Sequence, residues 1–197
     1  RDLREELGNP GKENVSLYTK GSESSMVPRM DEETFARELS AFDVVSFDVF
    51  DTLLFRTFSD PTDLFYLVGM ELQYPNFKQI RMEAEAVARL KKVQEEGTRE
   101  VTLKEIWDVM EKETGIPGTK GMRVEWEWER RCCFANPYMS RVIEKLKKAG
   151  KTLVTVSDMY LGRTAQEELL KGCGYEKFDS YFVSCDLSKS KSEGTLF

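Results

Sequence analysis

The sequence predicts an α/β fold, an open parallel sheet whose first two strands are separated by a helical insertion. Two observations carry the prediction. Apolar runs that suit buried strands recur at Val44, Val45, Phe47 and Val49, at Thr152 to Ser157, and at Asp179 to Ser184. Between them lie segments of helical periodicity, so the order is strand, helical insertion, helix, strand, helix, strand. Strands alternating with helices of this length pair in parallel through right-handed crossovers. In such sheets, sites form beyond the carboxyl ends of the strands.

Each element has its own signal. Residues 1–30 mix Gly, Pro, Ser, Asn and charge without an apolar period, which reads as a flexible arm or linker. Asp31 to Leu39 reads as a short helix with Phe35 and Leu39 on one face, leading into the first strand. Asp60-Pro61 starts a helix, because proline at the first helical position gives up only an amide hydrogen that would be unpaired anyway. Leu64, Leu67, Val68 and Leu72 form its apolar face. A charged helix follows over roughly residues 77–94, and its run from Arg81 to Lys92 reads as a solvated face. The capping box Thr102-Leu-Lys-Glu105 opens another helix that stops near Gly115 and Pro117, and residues 124–134 read as a fourth. Trp107, Trp126 and Trp128 read as core residues of this insertion.

Asn136-Pro137 repeats the cap-and-proline start, with Met139, Val142, Ile143 and Leu146 as the buried stripe and Gly150 as the stop. A second capping box, Thr164-Ala-Gln-Glu167, opens a helix that ends around Gly172 to Gly174. The expected division is an arm over 1–30, an α/β core over 31–58 and 135–197, and a helical cap over 59–134.

Composition narrows the chemistry. At 197 residues, 40% hydrophobic and 32% charged, the chain can bury the core of one ordinary domain with a small inserted subdomain. No apolar run is long enough to cross a bilayer, and the charged start RDLREELGNP does not suit a signal peptide, so a cytoplasmic chain is expected. Four cysteines, two of them adjacent at Cys132 and Cys133, suit buried apolar positions in a reducing compartment rather than a disulfide framework. The absence of histidine excludes Ser-His-Asp and Cys-His pairs and imidazole zinc sites. Carboxylates, hydroxyls, lysines or a hard metal remain. A net charge of −6 opposes non-specific binding to nucleic acid.

Three polar segments lie where the strand-end rule puts a site: Asp48 in VVSFDVFDTLL, Ser157 in TLVTVSDMYL, and the lysines of YFVSCDLSKSKSEGTLF. The first resembles the first motif of the haloacid dehalogenase (HAD) superfamily, in which a strand delivers a nucleophilic aspartate, then a turn, then a threonine and leucine. The second and third resemble the family's serine and lysine motifs, in the family's order. The resemblance covers about 43–197. SFDVFDTLL with SDMYL is most similar to predicted HAD hydrolases associated with bacterial glycosyltransferases and surface polysaccharide genes. It implies a Rossmann-like sheet with a helical cap and a Mg²⁺-dependent phosphoryl hydrolase or transferase acting on a small phosphorylated metabolite such as a sugar phosphate. Asp48 would be the nucleophile and a metal ligand. Thr52, Ser157 and Lys191 would hold the phosphate, and Lys191 fits the motif spacing before Gly194 better than Lys189.

The pattern also departs from the family. The usual second aspartate, two residues after the nucleophile, is replaced by Phe50, which cannot transfer a proton but whose backbone carbonyl can still coordinate Mg²⁺. Asp51 is the alternative proton carrier. The acidic pair that completes the family's metal site would lie beyond Phe197, so the sheet is expected to be incomplete at its C-terminal end. The first strand would then have an uncovered edge, closed by a missing segment or a partner. Two alternatives therefore stay open: a catalytically silent interaction module attached to a glycosyltransferase system, and a dehalogenase-like hydrolase.

Overall fold

The computed structural model describes residues 30–191 and 193–196. The arm expected over 1–30 lies outside them apart from Met30, which is exposed. Helix α1 (Glu32–Leu39) is capped by Asp31, whose carboxylate accepts the Thr34 amide at 2.8 Å. Strand β1 (Val44–Phe47) follows, with Val45 and Phe47 buried and Val44 and Ser46 exposed.

Strands β1, β4 (Thr152–Ser157) and β5 (Ser180–Val183) form a parallel sheet in the order β1-β4-β5, with Phe47 opposite Thr155 and Ser157 opposite Val183. The architecture is therefore α/β, as expected. Helices α6 (Pro137–Lys148) and α7 (Arg163–Gly172) are the crossovers, and both cover the same face. There Val142, Ile143, Leu146 and Leu169 pack on Phe47 and Leu153. Burying each such side chain stabilises the fold by about 1.5–3 kcal/mol.

Between β1 and α6 the chain enters a helical insertion through β2 (Leu54–Arg56) and leaves it through β3 (Cys133–Ala135), which pair antiparallel. The sequence reading carried a helix through Phe134. Instead the last helix stops at Cys132, and Cys133 is already extended at φ −90°, ψ 142°. Pairing with Leu54 to Arg56, a long-range contact, outweighs local helical preference here. Asn136 fixes the exit by donating its side-chain amide to the Thr52 carbonyl and its backbone amide to that of Leu53.

The insertion holds α2 (Leu64–Leu72), α3 (Phe77–Glu96), α4 (Leu103–Thr114) and α5 (Gly118–Cys132). Asp60 and Pro61 start a 3-10 turn, Pro61–Asp63, and α2 follows directly. The Thr102–Glu105 box makes both of its reciprocal bonds. Trp107 is fully buried among Phe77, Met110 and Val124, whereas Trp126 and Trp128 are only partly buried. A Cβ at Gly121 would lie 1.9 Å from the Trp107 ring, so glycine is what lets α5 approach α4 this closely.

Two local expectations fail. Helix α7 starts at Arg163, capped at Gly162, and not through the Thr164–Glu167 box. Its cap is tertiary: the Asp186 carboxylate, from the short helix α8 (Ser184–Leu187), accepts the Arg163 amide at 2.7 Å. A Cβ at residue 162 would come within 2.6 Å of that carboxylate and oblige it to shift from its capping position. The charged run of α3 is also not wholly solvated. Arg81 is completely buried, and its guanidinium donates to both Glu125 oxygens at 2.8 and 3.0 Å and to Glu85 at 3.0 Å. Trp107 donates its indole N–H to the same Glu125 at 2.8 Å. Removing one partner of such a pair strands a buried charge, a loss of about 3–5 kcal/mol. Among the described residues, no helix is long and apolar enough to cross a membrane.

Candidate active site

Asp48 is the first residue beyond β1, and Ser157 ends β4. Because Phe47 pairs with Thr155, the two polar residues stand at the carboxyl ends of neighbouring parallel strands. After Asp48 the chain turns sharply. Asp51 takes a left-handed backbone, φ 60°, and the Leu53 and Leu54 amides both donate to the Val49 carbonyl. Aspartate tolerates that conformation better than most residues. The turn returns Thr52 to Asp48, where its hydroxyl donates to Asp48 Oδ2 over a long 3.4 Å.

Lys191 reaches the same carboxylate from 143 residues further along the chain, Nζ donating to Asp48 Oδ1 at 2.5 Å. Its position is set by its backbone. The Lys191 amide donates to both oxygens of Asp158 at 3.0 and 3.1 Å, tying the Lys191 turn to the end of β4. The Gly194 amide closes the turn on the Lys191 carbonyl at 3.0 Å, with Gly194 at φ +67°.

Asp48, Thr52 and Lys191 are thus brought together. Ser157 stays buried at the neighbouring strand end, and its hydroxyl has no hydrogen-bond partner among the described residues. Lys189 is exposed and makes no side-chain contact with Asp48. The Phe50 ring lies under the Arg56 guanidinium, 4.2 Å from ring centroid to Cζ, so its side chain packs. The Phe50 carbonyl accepts no hydrogen bond among the described residues.

No group of three carboxylate or thiol side chains converges as a closed metal site among the described residues. The oxygen donors offered here are the Asp48 carboxylate and the Phe50 carbonyl. That set suits Mg²⁺, which keeps several waters and takes one or two protein carboxylates, better than it suits a metal needing a full protein cage.

Beside these residues opens a cavity of about 510 Å³ between the strand ends and the insertion. Phe50, Asp51, Asp158 and Met159 line it from the core, and Phe65, Met82, Arg89 and Arg99 from the insertion. Behind it, Arg81 is sandwiched between Phe65 and Tyr160, at 4.5 and 5.0 Å from the ring centroids. Arg56 is matched by Glu129 at 2.7 Å and Arg89 by Glu85 at 2.8 Å. Burial raises the Glu85 carboxyl, but Arg81 and Arg89 outweigh it and hold the group below its ordinary value. Burial pushes Glu129 above its ordinary value in spite of Arg56. A second cavity of about 540 Å³ runs along α6 beside Arg141, Glu144 and Lys148, and shares no residue with this one.

Asp158 and the cavity arginines were not among the sequence candidates. Asp158 follows Ser157 directly, so the strand-end rule that chose one reaches the other. The Arg81-Glu85-Arg89 spacing was visible as helical pairing, but its burial depends on Glu125, 44 residues away. The cysteines do not join the site, and burial lifts the Cys185 thiol to about 12, far from a reactive thiolate. No protein-family model matches this chain, and no curated protein matches it.

Proposed function

We propose that this chain is a HAD-type phosphoryl hydrolase or transferase whose nucleophile is Asp48 and whose substrate is a small phosphorylated metabolite. The observation that carries the reading is the Lys191 ammonium on the Asp48 carboxylate, two groups delivered by separate strand-end loops. A carboxylate can attack phosphorus because the acyl phosphate it forms hydrolyses readily. Lys191 and the Thr52 hydroxyl offset charge on the phosphoryl oxygens, where most of it resides in the transition state. Ser157 offers a further hydroxyl from the neighbouring strand end.

In the first step a bond forms from Asp48 Oδ2, the oxygen Lys191 leaves free, to phosphorus. The bond from phosphorus to the leaving oxygen breaks, and that oxygen takes a proton. Phe50 cannot supply it. Asp51 can, entering the step as the carboxylic acid and leaving it as the carboxylate: it lines the cavity and its side chain has no hydrogen-bond or ion-pair partner among the described residues. Water then attacks the aspartyl phosphate, gives its proton to Asp51, and releases phosphate and Asp48. Mg²⁺, held by Asp48 and the Phe50 carbonyl, would supply positive charge against the phosphoryl oxygens. Four free thiols suit a reducing compartment such as the cytoplasm.

The test is phosphate release from a panel of phosphomonoesters with Mg²⁺. Asp48→Asn should fall to the rate of a protein-free control; an unchanged rate would remove Asp48 from the mechanism. The packing of Phe50 under Arg56 favours one rival, a silent module that positions another enzyme. Beryllium fluoride with Mg²⁺ imitates the aspartyl phosphate, so it should raise the melting temperature of an active protein and leave a silent one unchanged.

A further inference from the structure

We propose that the cavity between the strand ends and the insertion takes a ligand with two anionic groups on an apolar body, the second group bound by Arg99 beside Arg89. The phosphate half of this inference rests on the function proposed above; the Arg99 half does not.

Three observations support it. The cavity volume, about 510 Å³, falls in the range that holds a small organic molecule. Its wall is largely apolar, with Phe50, Phe65, Met82 and Met159 facing the space where an organic body would sit. The third is the distribution of charge on the insertion wall. Arg56 is used by Glu129, Arg81 by Glu125, and Arg89 by Glu85. Arg99 lines the same cavity, and its side chain has no ion pair or hydrogen bond among the described residues.

Its backbone is nevertheless fixed, because Arg89 Nη1 donates to the Arg99 carbonyl at 2.8 Å. An arginine on an anchored backbone, with its guanidinium unspent, is a ready fork for a carboxylate or a second phosphate. Asp51 and Asp158 also line the cavity, but from the core wall. Glu85 lines it from the insertion wall but is taken by Arg89, which leaves Arg99 as the unmatched charge on that wall.

Binding of three probes to the full chain with Mg²⁺ tests this. The probes are phenylphosphonate, 4-carboxyphenylphosphonate, and benzene-1,3-dicarboxylate, which has no phosphorus. The carboxylated phosphonate should bind about 10-fold tighter than phenylphosphonate, the usual scale of one charge-assisted contact. Arg99→Ala should erase that advantage and leave the phenylphosphonate affinity and the melting temperature unchanged. Lys191→Ala should weaken both phosphonates equally. Equal affinities in the wild type, no effect of Arg99→Ala, or no binding of either carboxylated probe at millimolar concentration would overturn the inference. If Arg99→Ala weakens both carboxylated probes while Lys191→Ala weakens none, the second-anion site stands and the phosphoryl reading falls. If only Lys191→Ala matters, the reverse holds.

Discussion

At the scale of single residues, the Lys191–Asp48 pair is poorly suited to be a structural device. Both side chains are partly exposed, at 27% and 40%, and ion pairs of that kind contribute about 0–1 kcal/mol. Lys191→Met should therefore shift the unfolding free energy by no more than about 1 kcal/mol. Under the proposed mechanism it should slow phosphate release by about 10²–10³-fold, the usual loss when one donor to transition-state charge is removed. Chemical denaturation beside a steady-state assay separates the two, and a large loss of stability with little change in rate would mark the pair as structural. Asp48 and Lys191 were legible because a strand-end aspartate and a lysine at motif spacing are local patterns. Arg99 was not. Beside Thr98 and Glu100 it has the look of any solvated arginine, and only the fold puts it on a cavity wall.

At the scale of elements, Arg81–Glu125 joins α3 to α5 and Arg56–Glu129 joins β2 to α5, and two carboxylates around these pairs, Glu85 and Glu129, respond to pH in opposite senses. The folded pKa of Glu85 lies below its ordinary 4.5, so its stabilisation is present above that value and is lost as pH falls through the lowered one. The folded pKa of Glu129 lies above the same ordinary 4.5, so its contribution is fullest below that value and fades as pH rises through the raised one. Relative to wild type, Glu85→Gln should be less stable near neutrality, with the deficit shrinking on acidification. Glu129→Gln should gain relative stability as pH rises out of the acid range. Unfolding curves taken across that range check the signs, and deficits that move together would refute the assignment. Helix α3 was legible from charges at helical spacing, and α5 only from residue 124 on, six residues after its start at Gly118. The β2–β3 ribbon was not, since three-residue strands have too little periodicity to register, and their pairing joins segments about 80 residues apart.

At the scale of the whole molecule, one face of the sheet is packed by α6 and α7, and the other is largely open among the described residues, where Val156 is buried. Alternation along the strands puts Val44, Ser46, Val154 and Phe182 on the face opposite α6 and α7, and Val44 and Phe182 are 58% and 40% exposed. Within the same residues β1 is also hydrogen-bonded on one side alone, by β4. Parallel sheets are normally covered on both faces, and an apolar patch beside an open strand edge favours association. Placing a charge on that face should therefore oppose association without disturbing the core. The double variant Val44→Lys and Phe182→Lys is expected to bind less of a hydrophobic dye and to sediment more nearly as a monomer. Its stability should stay within about 1 kcal/mol of wild type, because both positions already meet water. Val45→Lys, one residue along and facing the packed side, should unfold the chain, since an unpaired ammonium would enter a site that is 6% exposed. If the double variant is as destabilised as Val45→Lys, the face is covered in solution and the association argument fails.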